Sequence, residues 1–265
     1  MPNAINFLLC TETKHVSVRE LFEICRPLEE NARSCAEAWN LPAPTVSVID
    51  GREHLKVDAM HNRRFAPIVF LDDDSKAASD TLASHYFDPV TLFPAGRVFV
   101  EKASGFHTGP YSVFEATAHE ILESLVDPDL RYWIDHPDPA RKGIQLAVEV
   151  CDAVQDTYPI AHHGTTWPAA NFITPEWFSP KFFSDAIARK ALLKSGRGFD
   201  YSRKLHMPAE VGPEGYTLVR DSDRLWAEAR TAPNTEMKAW IPRTLHEAAA
   251  KRHAWARTTR RGLQF

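Results

Sequence analysis

The stretch from Val113 to Pro128, VFEATAHEILESLVDP, leaves this chain few options. Its apolar residues Phe114, Ile121, Leu122 and Leu125 predict a helix, which stops near Asp127 because a residue that precedes proline avoids helical backbone angles. Within it lies His-Glu-x-x-Glu. Residues four apart on a helix differ by about 40° around the axis and about 6 Å along it, so His119 and Glu123 project side by side. Such a pair can grip one divalent cation, the zinc-helix arrangement with a carboxylate in the second slot. Glu120, turned about 100° from His119, falls beside that face, where a general base acting on water would stand.

A cation needs a further protein ligand, and Glu149-Val150-Cys151-Asp152 offers two carboxylates three apart, which share a face if the segment is helical. The simplest division makes Glu149 the third metal ligand and Asp152 the acceptor that orients the His119 imidazole; the two roles are exchangeable. Three protein ligands leave a position for water. The imidazole favours zinc, with manganese or calcium as oxygen-loving alternatives. Tyr158, His162 and His163 are candidate oxyanion donors, and Asp135 or His136 in the polar loop from Leu130 to Gly143 is a further candidate to approach the metal. Cys151 as a thiol nucleophile is disfavoured by the acids on either side of it.

The rest of the chain supplies the frame. Ser17-Val18-Arg19-Glu20 is a capping box opening an amphipathic helix through Trp39 that Pro27 should kink or split. Strands are expected at 45–49, 67–71 and 96–100, and a helix from Lys76 to about His85 behind an acidic cap at Asp72-Asp73-Asp74. The aromatic density from Trp167 to Phe183 reads as core, with a groove wall or subunit interface as the second account. With 44% hydrophobic and 25% charged residues, the composition excludes wholesale disorder, and four cysteines without CxxC spacing exclude a disulfide scaffold. No apolar run reaches the roughly 18 residues of a membrane helix, and no basic flank marks a secretory signal, so a soluble cytoplasmic protein is expected. The net charge of -4 conceals a basic end: residues 238–265 hold seven Lys or Arg against the single acid Glu247. That extension seeks an anionic neighbour, whether the chain's own body, a protein partner or adjoining subunit, or, less favoured, nucleic acid.

Several blocks together resemble the zincin-like metallopeptidase proteins of bacteria and tailed bacteriophages. They are Arg97-Val98-Phe99-Val100, Gly109-Pro110, the His119 to Pro128 helix, Trp133, Glu149-Val150-Cys151-Asp152 and Tyr158, followed by Asn171-Phe172-Ile173-Thr174-Pro175-x-Trp177-Phe178, Phe199-Asp200 and Gly215-Tyr216. The resemblance implies an α+β zincin-like domain over residues 1–216, with a small mixed sheet and an active-site helix. It implies a metal held by His119, Glu123 and Glu149, with Glu120 as base. Residues 217–265 lie beyond the matched blocks and read as a basic helical docking extension, helical from Arg243 to Arg260. The expected function is zinc-dependent hydrolysis of a peptide or protein substrate. The alternative is a bacteriophage virion or assembly protein that keeps the fold around a structural or vestigial metal site, and its location would then be the virion.

Overall fold

The computed structural model describes residues 4–50, 65–72, 82–88, 93–107 and 111–229. Its class is α+β. The first layer is a five-stranded mixed sheet built from β1 (Asn6–Thr11), β2 (Thr45–Val48), β3 (Phe65–Leu71), β4 (Ala83–Asp88) and β5 (Phe93–Phe99), in the order β2-β1-β3-β5-β4. The first four neighbours in that order run parallel, and β4 returns antiparallel along β5 as an edge strand. Phe7, Leu9, Ile68, Phe70 and Val98 alternate onto one face and are fully buried there, the period-two pattern that pins the register of a half-buried sheet.

Helix α1 (Val18–Ala38) covers that face together with α2 (Val113–Val126). The capping box at Ser17 and Glu20 is present in full. Pro27 does not split α1, which runs continuously past it. The ring removes one main-chain hydrogen bond, but Ile24, Leu28, Ala32 and Cys35 bury the surrounding turns against the core and hold the helix together. Expected and observed bounds of α2 agree: Ser112 accepts from the Glu115 N–H at the start, and Asp127 closes the end.

Of the helix expected from Lys76 to about His85, residues 76–81 lie outside the described residues, and its last residues are corrected: Ala83 to Asp88 is β4, paired through His85 with Gly96 and through Tyr86 with Ala95. The segment holding Glu149 and Asp152 is also not a helix: it is an irregular turn following β7 (Gln145–Ala147), closed by the Gln155 N–H to Cys151 carbonyl bond of 2.8 Å. A second, four-stranded sheet joins β6 (Trp133–Asp135), β7, β10 (Tyr216–Arg220) and β11 (Leu225–Ala229). The boundary drawn after residue 216 therefore falls at the start of a strand, and residues 217–229 belong to a sheet of the body. A hairpin, β8 (Thr157–His162) with β9 (Thr165–Ala170), and two short helices, α3 (Pro180–Ser184) and α4 (Ala186–Lys194), complete the described structure. The expected helix from Arg243 to Arg260 lies outside it. Among the described residues, no helix is long and apolar enough to cross a membrane.

The aromatic segment is core: Trp167, Phe172, Trp177 and Phe178 are buried, and the Trp177 indole N–H donates to the Glu210 carbonyl at 2.7 Å.

Candidate metal centre

Helix α2 is buried nearly all round. Of its residues only Glu115 and His119 escape burial, so Glu120 and Glu123 lie among Phe114, Ile121, Leu122 and Leu125 rather than on a solvated face. Carboxylates in such a place are costly unless cations or hydrogen bonds answer them. What answers them here are two imidazoles, His119 on α2 itself and His85 on β4, while the turn after β7 brings two further acids close.

His119 Nε2 lies 3.2 Å from Glu123 Oε1 and 3.4 Å from Asp152 Oδ1. The donor atoms of these three residues all fall within 4.8 Å of one another. The expected third ligand, Glu149, is not in this trio. It stands in a second one, again with donor atoms within 4.8 Å of one another, made with Glu123 and His85. His85 Nδ1 approaches Glu120 Oε2 at 2.9 Å and Glu123 Oε2 at 3.3 Å, while its Nε2 lies 3.5 Å from Glu149 Oε2. The structure thus gathers His119, Glu120, Glu123, Glu149 and Asp152, the five residues assigned from the sequence to the metal, its orienting acceptor and the base, and adds one that sequence reasoning missed. The sequence pattern puts His85 at the end of a helix; on the edge strand β4, its side chain turns to α2, against which that strand packs.

The electrostatics follow from burial and crowding. Burial opposes charge on His119, but Glu123 and Asp152 outweigh it and hold its pKa well above the ordinary histidine value. The same contest, with Glu120, Glu123 and Glu149 as the acids, raises His85. Burial would raise Glu123, yet the two imidazoles overcome it and depress its pKa. Asp152, buried and facing the Glu123 charge, is pushed up to about 7 in spite of His119. His85 Nε2 and Glu123 Oε1 are buried here and make no hydrogen bond. Exposure is uneven as well, because the His119 side chain is 21% exposed while those of Glu123 and Asp152 are 4% and 8%. The cluster opens to solvent along the His119 edge.

Asp152 is held by its surroundings. The Tyr216 N–H donates to its carbonyl at 2.9 Å, and the Tyr216 hydroxyl lies against its carboxylate. This approach requires Gly215, where a Cβ would stand 2.2 Å from the Ala153 carbonyl oxygen. Burial and the neighbouring Asp152 charge keep the Tyr216 phenol protonated, well above its usual range.

The other candidates are engaged elsewhere. The Tyr158 hydroxyl accepts from Asn31 Nδ2 at 2.8 Å, and His162 pairs with Glu30 at 3.3 Å; neither stands in the two trios. His163 occupies the hairpin turn beside His162 with φ of 48°. His136 accepts from the Asp138 N–H at 3.0 Å and meets Arg141, away from the cluster, and Asp135 accepts from Gln145 Nε2 at 2.9 Å. Cys151 faces the His119 carbonyl at 3.8 Å, and burial, with the Glu123 charge, drives its thiol pKa well up, which disfavours a thiolate.

No family model, curated protein or solved structure compared with the chain matches it.

Proposed function

We propose that this chain is a zinc-dependent peptide hydrolase of the zincin-like kind, with the metal on His119, Glu123 and Asp152. The observation that carries the reading is the trio itself: one imidazole and two carboxylates, donor atoms within 4.8 Å of one another, on the open edge of an otherwise buried cluster. The donor set suits zinc first and manganese next. Glu123 Oε1, buried with no hydrogen bond, is the kind of unmet acceptor that a cation satisfies. A mixed sheet beneath a helix bearing His-Glu-x-x-Glu also accords with the fold that the sequence resemblance implies.

A bound zinc would supply Lewis-acid polarisation of the peptide carbonyl and acidification of water. The protein's own groups do the remainder. Asp152 takes the ligand role first given to Glu149, and Tyr216 positions it. Glu120 removes a proton from the attacking water and returns it to the departing amine; its Oε2 is steadied by His85 at 2.9 Å. With two carboxylates in the set, the metal's charge is already balanced, and turnover should be modest.

The test is hydrolysis of a quenched fluorescent peptide library by zinc-loaded protein. Glu120→Gln should keep its zinc and lose turnover by about 100-fold or more, the usual worth of a positioned base. Undiminished turnover in Glu120→Gln, or zinc-loaded wild-type protein with none, would overturn the hydrolase assignment; the second result would leave a structural metal site, the virion or assembly alternative.

A further inference from the structure

The mononuclear reading leaves part of the cluster unexplained. Glu123 presents its two oxygens to two different imidazoles: Oε1 stands 3.2 Å from His119 Nε2, and Oε2 stands 3.3 Å from His85 Nδ1. Beyond Oε2 lies the second trio of His85, Glu123 and Glu149, whose side chains are only 4–5% exposed. Glu120 takes His85 Nδ1 in a hydrogen bond, which leaves Nε2 as the ring's donor atom toward a cation. That Nε2 is buried, makes no hydrogen bond, and lies 3.5 Å from Glu149 Oε2.

We propose that the protein binds a pair of divalent cations, the second held by His85 and Glu149, with Glu123 bridging the two ions through its separate oxygens. The proposal rests on the metal-site reading above and extends it. Charge supports it. Glu120, Glu123, Glu149 and Asp152 place four carboxylates in one buried volume, and two divalent ions with neutral imidazoles would balance them, whereas one ion leaves two negative charges to be met some other way. Geometry supports it also, because a carboxylate flanked on both sides by imidazole and carboxylate donors is how paired ions are spaced, about 3.5–4 Å apart, in two-metal hydrolytic sites. The rival account is a metal-free knot in which His85, as an imidazolium, is ion-paired to three acids.

The decisive experiment is zinc titration of the stripped full-length protein, with elemental analysis after gel filtration. Wild type should retain two zinc ions per chain, and His85→Ala one. One ion in wild type with one retained in His85→Ala would overturn the paired centre while leaving the mononuclear site standing. Two ions retained in His85→Ala would overturn it as well, and none in wild type would bring down both readings. Should His85→Ala fail to fold, electron paramagnetic resonance of wild type loaded with manganese decides. An exchange-coupled pair at two equivalents supports the bridge, and an uncoupled spectrum saturating at one equivalent refutes it.

Discussion

At the scale of single residues, Gly215 and Tyr216 show how a site depends on atoms that no ligand pattern contains. Gly215 lets the chain pass against the Asp152–Ala153 backbone, and Tyr216 then bonds to Asp152 through its N–H at 2.9 Å. Adding one methyl group there forces backbone apart from backbone. Gly215→Ala should cost about 1–3 kcal/mol, the usual price of overpacking, and should weaken zinc binding as Asp152 shifts. Thermal unfolding and a zinc titration would measure the two effects, and an unchanged zinc affinity would detach Tyr216 from the site. Tyr216 was legible only as part of a resemblance block, since a tyrosine 64 residues beyond Asp152 carries no spacing signal of its own. His85 was hidden for a related reason: its place at the site follows from the packing of β4 against α2, which brings it to Glu120, 35 residues on, a contact no local window holds.

Elements differed in how far they could be read. Helix α2 was legible because its apolar residues and the Asp127-Pro128 stop agree with one another. The Glu149 to Asp152 segment was legible as chemistry but not as structure, because acids three apart suit a helix and a tight turn alike. Asp127 ties these elements together: its carboxylate accepts from the Arg131 and Tyr132 N–H groups at 2.9 Å each, turning the chain from α2 toward β6. Burial, opposed by the Arg131 amide and reinforced by the Glu149 charge, pushes this carboxyl up to about 6 from 3.8. The native state therefore keeps a proton that the unfolded chain releases, so this contribution to stability is full below about pH 4 and is lost as pH rises through about 6. The span corresponds to roughly 3 kcal/mol at 1.36 kcal/mol per pH unit. Urea unfolding of metal-free protein at pH 4 and pH 7 should show a steeper decline for wild type than for Asp127→Asn. Equal declines would place that carboxyl's titration elsewhere.

Across the whole molecule, the site is assembled from four places: β4, α2, the turn after β7 and the start of β10. Both sheets contribute, the first through His85 of β4 and the second through the turn after β7 and Tyr216 of β10. The charge asymmetry read from the sequence belongs to a different part of the chain, because the seven basic residues of 238–265 lie outside the described structure, whereas every residue of the cluster precedes Arg220. Removing residues 238–265 should leave zinc stoichiometry and peptide turnover within about twofold of wild type while abolishing any self-association or partner capture that depends on the basic end. Sedimentation velocity beside the hydrolysis assay would check both halves.

The most direct measurement is anomalous diffraction at the zinc edge from crystals grown with zinc. The account predicts a peak bonded to His119 Nε2, Glu123 and Asp152. Crystals soaked to saturation with no peak among those residues, and with His119 still paired to Glu123 and Asp152, would contradict it.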